Sequence, residues 1–228
     1  MARILLIETS TAQLSTALSE DGTILASRIC DEPRMQAALT APYVKEVLGE
    51  LSVKDLDAVC VGKGPGSYTG LRVGVSTAKG LCFGAGIPLL SAGTLDVLVQ
   101  EAHRQGVVPE GCKYIVPMVD ARRMEVYAAV FTPDGQQRTE TRPVIVDAES
   151  FAGELAEGPV LFIGDGALKC REVIPSPNAF FAEAFPTAMA MAPLAEAAFH
   201  EKRFEDVAYF EPFYLKDFVA TVSRKKLF

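Results

Sequence analysis

The chain passes twice through the same order of local signals, and this repetition limits its fold more than any other feature. Residues 4–7 form a short apolar run of buried-strand type that ends in Glu8, and the polar turn Thr9-Ser10-Thr11 follows. Two strand-like runs, 14–19 and 23–29, then flank Asp21-Gly22. That dipeptide suits a two-residue hairpin because both central residues need positive φ. Residues 35–51 are helix-like, with Leu39, Tyr43, Val44, Val47, Leu48 and Leu51 at helical spacing, and Pro42 is expected to kink or restart the helix. A strand over 57–62 leads into a Gly-x-Gly turn. The second pass begins at 114–119, ends its first strand in Asp120 and turns at 121–123. Predicted strands over 125–132 and 137–146 flank Asp134-Gly135, a helix is predicted over 148–156, and the strand 160–163 runs into Gly164-Asp165-Gly166. From acid to hairpin aspartate is 13 residues in the first pass and 14 in the second. Five elements in one order predict a duplicated β-β-β-α-β unit.

The expected architecture is therefore α/β with two lobes, residues 1–108 and 109–206, and a tail over 207–228 that packs back on them. Further predicted elements are a helix over 69–84, a strand over 87–90, and a helix from 94 to 104 with Thr94 as its cap. A helical stretch over 187–203 is expected to be broken at Pro193, and the basic end, 222–228, to be loose.

Between the strand at 57–62 and the helix at 69–84 lies the glycine-rich run 64–74. A turn of this kind suits either an anion or a close-packed neighbour. It lacks the Gly-Lys-Ser/Thr of a Walker A loop. Its glycines, Gly64, Gly66 and Gly70, are spaced one residue wider than the dinucleotide fingerprint, and no acid ends the following strand. Gly70, Gly74, Ala78 and Cys82 recur every four residues and so share one helix face. Such a face accepts a close neighbour, either within the chain or in another subunit; the helix at 35–51 is the natural companion.

Net charge is −7, and only Arg122-Arg123 and Arg224-Lys225-Lys226 are locally basic, which argues against strong nucleic-acid binding by the chain alone. Five dispersed cysteines without a Cys-x-x-Cys disfavour a disulfide framework and a structural zinc site. The opening residues reach an acid after four apolar positions, too few for a signal peptide, and no apolar run is long enough to span a bilayer. A cytoplasmic location is expected.

Two strands that each end in an acid before a polar turn can face each other across a cleft and hold a magnesium nucleotide. The candidates are Glu8, Thr9 and Ser10 in one lobe and Asp120 in the other; Glu8 and Asp120 also suit plain strand ends or turn caps. His103 and His200 have no histidine partner four residues away, and Gly-x-Ser-x-Gly is absent. Metal-dependent and serine-nucleophile hydrolysis are disfavoured, and no residue is assigned a catalytic or metal-binding role.

Four stretches (4–11, 64–74, 120–127 and 212–216) resemble the TsaB (YeaZ) family, which takes part in making threonylcarbamoyladenosine in tRNA. The resemblance implies the actin/Hsp70-like ATPase superfamily, with two ribonuclease-H-like lobes. It implies a non-catalytic subunit beside the paralogue TsaD, which performs the transfer, and the ATPase TsaE, with tRNA met only through the assembly. Self-pairing is implied when TsaD is absent. No tightly bound cofactor is implied, although ATP or ADP with magnesium at a subunit junction is compatible with the family. The implied partner surface lies on the two first-lobe helices, at Leu39, Tyr43, Val47, Gly70, Arg72, Gly74 and Ala78. This chain departs from the pattern in three places. It has no histidine in 31–36, it carries Glu8 where aspartate is frequent, and it lacks an evident adenosine-cradling glycine motif around 164–166. Two other readings stand beside this one: a magnesium-dependent ATPase or transferase built on Glu8, Ser10 and Asp120, and a peptidase.

Overall fold

The computed structural model describes residues 2–215, so Lys216 and the basic end fall outside the described residues. Strands β1 (Arg3–Glu8), β2 (Leu14–Glu20) and β3 (Thr23–Cys30) form an antiparallel meander. Asp21 and Gly22 take φ of 48° and 75°, the pair of positive values that the hairpin demands. Helix α1 (Gln36–Leu48) returns the chain to β4 (Ala58–Gly64), which lies parallel to β1. Helix α2 (Tyr68–Ala85) leads to β5 (Leu89–Gly93), parallel to β4. Helix α3 (Thr94–Gln105) then crosses to the second half.

There β6 (Tyr114–Asp120), β7 (Glu125–Ala128) and β8 (Arg142–Ile145) form a second antiparallel meander. Helix α4 (Ala152–Glu157) leads to β9 (Val160–Ile163), parallel to β6, and β10 (Ala179–Ala182) extends the sheet in parallel. Helix α5 (Ala192–His200) follows. The strand orders are β3-β2-β1-β4-β5 and β8-β7-β6-β9-β10. Each pairing in one sheet has a counterpart of the same sense in the other, so the duplicated α/β, ribonuclease-H-like plan is present.

Both faces of the first sheet are buried. Leu5, Ile7, Val59 and Val61 pack under Val44 and Val47 of α1 and Val75 and Ala78 of α2. Ile4, Leu6, Cys60 and Leu90 pack against Val97 of α3 and Ala195 and Ala198 of α5. The other face of α3, through Leu95, Leu98 and Ala102, meets Ile115, Leu161 and Ile163 of the second sheet. One helix thus serves both lobes. Its Glu101 is fully buried and takes hydrogen bonds from Arg104, Gln105 and Thr187. Burial opposes its ionisation, but these donors outweigh it and hold the carboxyl below its usual range.

Several local expectations differ from the structure. Helix α1 continues through Pro42 without restarting. Ala38, whose carbonyl loses its donor there, is exposed, so water can satisfy it. Gly93, not Thr94, occupies the cap of α3, and the buried Thr94 hydroxyl has no protein partner. Pro193 lies in the first turn of α5, where its missing N–H costs nothing, and starts that helix instead of breaking it. That helix belongs to the first lobe, because Ala192, Ala195 and Ala198 give it a flat face against β1 and β5. The predicted helix over 148–156 begins only at Ala152, because Asp147 and Ser150 close a turn before it. Residues 205–214 form a strap along the first lobe. Glu205 pairs with Leu89, Lys79 of α2 donates to the Ala208 and Phe210 carbonyls, and Phe213 N–H donates to Lys63. Tyr214 ends the strap against Tyr68, with ring centroids 4.9 Å apart.

Candidate functional site

Glu8 ends β1 beside Gly62 of β4 and is fully buried. Its Oε1 accepts a 2.6 Å hydrogen bond from Ser10 N–H, and its Oε2 has no partner. Burial pushes its pKa up to about 7, against the pull of hydrogen bonds from Ser10 and Thr9. Gly62 makes room for this longer acid: a Cβ there would stand 2.3 Å from Oε2. Thr9 and Ser10 are equally inaccessible. Thr9 Oγ1 donates to the Gly70 carbonyl at 2.8 Å, and Ser67 N–H donates to the Ser10 carbonyl at 2.6 Å. The turn expected to receive phosphates is therefore occupied by the glycine-rich run of its own chain.

Gly70 and Gly74 explain the four-residue spacing on α2. A Cβ on Gly70 would stand 2.1 Å from the Thr9 carbonyl oxygen, and one on Gly74 would stand 2.3 Å from Thr9 Oγ1. Ala78 is buried in the same core. These three face inward, so the placement of Gly70, Gly74 and Ala78 on a subunit contact is corrected: the close neighbour is the end of β1. Val47 is likewise a core residue, whereas Leu39 and Tyr43 are half-buried on α1. Arg72 is exposed; its guanidinium lies 5.2 Å from the centre of the Tyr68 ring and donates to the Tyr68 hydroxyl at 2.9 Å.

The outer face of α2 carries a second stripe of small residues outside the Gly70-Gly74-Ala78 row, Ser76, Gly80 and Gly84, all exposed. Nothing lies within 4 Å of where a Cβ on Gly80 or Gly84 would stand. Beside them Phe83 is 85% exposed. A groove of about 350 Å³ runs between α1 and α2, lined by Val44, Lys45, Leu48, Thr77 and Leu81 among others. The signal was present in the sequence as a glycine pair flanking a phenylalanine.

Asp120, at the matching strand end of the second lobe, behaves differently from Glu8. It is exposed, pairs with Lys169 and accepts a 2.9 Å hydrogen bond from Arg122 N–H. Its own N–H donates to Asp165, whose pKa burial pushes up to about 6, with the Asp120 charge adding to the rise. Glu8 and Asp120 thus engage separate partners, one sealed and one open. Just beyond Asp120, Arg122 and Arg123 have φ of 73° and 52°, a conformation costing roughly 1–2 kcal/mol per residue for a side chain of this kind. No group of three or more acids, histidines or cysteines able to hold a metal occurs among the described residues. No described helix is long and apolar enough to cross a membrane.

A family model described as TsaD, tRNA N6-adenosine threonylcarbamoyltransferase, matches residues 34–223. The tRNA threonylcarbamoyladenosine biosynthesis protein TsaB of Escherichia coli (strain K12) is 31% identical, over 96% of this chain and 96% of its own length. The chain belongs to the TsaB (YeaZ) family. TsaB of Bacillus subtilis (strain 168) is 30% identical over 75% of the chain and 74% of its own length. Among solved structures, YeaZ from Pseudomonas aeruginosa superimposes with a TM-score of 0.80 at 28% identity, covering 94% of this chain and all of that one. A Pseudomonas aeruginosa protein described as similar to peptidase YeaZ gives 0.83 at 27% identity, covering 95% and 100%. TsaB-family membership agrees with the four sequence stretches that suggested it, two of which (4–11 and 64–74) meet at the end of β1.

Proposed function

We propose that this chain serves tRNA threonylcarbamoyladenosine biosynthesis as a non-catalytic subunit that docks a TsaD-like enzyme on the outer face of α2 and the adjoining edge of α1. The observation that carries the reading is the exposed Phe83 between two open glycines. An apolar ring flanked by positions without side chains lets a second helix approach closely and cover the ring. The match to the TsaD model supports the choice of partner, since residues 34–223 include both helices: a TsaD-like protein carries a comparable pair to set against them. The sealed Glu8–Ser10 turn supports a subunit that leaves the chemistry to its partner. A TsaE-like ATPase joins that partner, tRNA is bound only by the assembly, any nucleotide sits at a subunit junction, and the same face pairs with a second copy when the partner is absent.

The test is capture of a TsaD-like protein by the full chain and by two variants, Phe83→Glu and Gly80→Trp. Both positions point to solvent, so circular dichroism and melting should stay near wild type. Capture should fall at least tenfold. Undiminished capture by both variants would place the docking face elsewhere.

A further inference from the structure

We infer that the Arg122-Arg123 turn is a phosphate-contacting site for RNA. Among the described residues it is the only place where two non-glycine residues in succession adopt positive φ. Hairpin turns of this conformation ordinarily use Asn or Gly, which accept it at little cost. Here the sequence puts two arginines there.

The surroundings hold the turn firmly. Arg122 N–H donates to Asp120 at 2.9 Å, Glu125 N–H donates to the Arg122 carbonyl at 3.1 Å, and Ala121 N–H donates to the Glu125 carbonyl at 3.1 Å. From below, Lys169 reaches both Asp120 and the Glu125 carbonyl, while Asp165 accepts from Asp120 N–H. An unfavourable backbone conformation persists only where neighbours impose it, and such places concentrate at ligand contacts. The two guanidinium groups are exposed and have no partner among the described residues. Elsewhere Arg3, Arg28, Arg104 and Arg203 are each paired with a carboxylate, and Arg72 and Arg171 lie over aromatic rings; Arg34, Arg138 and Arg142 are also exposed, but none of them stands beside another arginine in a positive-φ turn. Asp120, two residues before Arg122, is paired with Lys169.

The position favours an extended anion. Arg122 and Arg123 stand on an exposed turn at the carboxyl end of β6, not in a walled pocket of the kind that encloses a single nucleotide. Successive phosphates along a strand suit two successive guanidiniums, which recognise phosphate without reading base sequence. With the chain at net charge −7, this contact adds to the RNA affinity of an assembly and does not create strong binding alone. The choice of RNA as the anion source rests on the tRNA role proposed above; the site itself does not depend on the docking face.

The experiment is a titration of the isotope-labelled full chain with a short single-stranded RNA at low salt, followed by amide and guanidinium NMR shifts. The expected result is saturable movement of the Arg122, Arg123 and Glu125 signals, with a log–log salt slope of about −1.4 for two phosphates on a single strand. In Arg122→Gly/Arg123→Gly the movement should disappear while the melting temperature holds or rises, because glycine accepts the turn. Absence of movement at these residues, or movement that survives the double substitution, overturns the inference. Equal or larger movement with ATP at the same phosphate concentration overturns the assignment to RNA. Capture of the TsaD-like protein by the same double variant reports separately on the docking reading.

Discussion

At the scale of single residues, Glu8 has the most measurable consequence. Its pKa is raised from 4.5 to about 7 in the folded chain, so between those values the folded form holds a proton that the unfolded form has released. The stability linked to this proton is fully present below pH 4.5 and is lost as pH rises through 7. The loss is on the order of 3 kcal/mol. Urea unfolding at about pH 5 and about pH 8 should show wild type weaker at the higher pH and Glu8→Gln much less affected. An equal drop in both proteins would mean that another group carries the dependence. Thr9 gives a second case. Gly74→Ala drives a methyl to 2.3 Å from Thr9 Oγ1, and chemical denaturation should show a loss of about 1–3 kcal/mol. The sequence placed Glu8, Thr9 and Ser10 correctly at a strand end followed by a turn. It held no sign that the turn is closed, because the closing group is the Ser67 backbone, and a backbone N–H leaves no mark in residue identity.

At the scale of elements, α2 has two small-residue stripes that a helical wheel cannot rank. Gly70, Gly74 and Ala78 let the end of β1 approach, while Ser76, Gly80 and Gly84 leave an open track on the other side. Four-residue spacing reveals that a face exists; which side the sheet occupies is decided by packing. Gly80→Ala therefore separates the stripes. It should stabilise the chain by about 0.5–1 kcal/mol, the gain of alanine over glycine in a helix interior, where Gly74→Ala destabilises. Paired denaturation curves of the two variants check this, and a loss in both would mean that the outer stripe is also packed. The strands of the first lobe were legible because their apolar runs are long. β10 was not: Ala179–Ala182 has only four residues, lies at a sheet edge and leaves Phe180 substantially exposed, so it has neither the length nor the alternation of a recognisable strand. β8 was predicted too long because the polar stretch after Gln137 bonds mainly through isolated contacts such as Phe131 with Gln137.

At the scale of the whole molecule, α3 and the segment before α5 join the lobes through buried polar groups. Thr187 Oγ1 donates to Glu101 at 2.7 Å, and Ala188 N–H donates to Ser15 Oγ at 2.8 Å. Thr187→Val removes one donor from a fully buried carboxylate and should cost about 1–3 kcal/mol. Because the same helix packs on both sheets, guanidinium unfolding should remain one transition that shifts to lower denaturant. Two separated transitions would show that the lobes hold together less tightly than their shared helix implies. The duplication itself was legible as an order of five signals, since each copy repeats strand, acid, turn and hairpin. The sharing of α5 with the first lobe was not, since a helix of alanines fits either sheet until the chain path selects one.

The two copies differ most after their fourth strand. In the first half the chain builds the long helix α2; in the second it makes a series of turns around the 3-10 helix Leu168–Cys170 before moving on to β10. Two halves of one plan therefore give a molecule with a handle at one end only. Any contact made through that helix is therefore made by one lobe alone, even though the two lobes follow one plan.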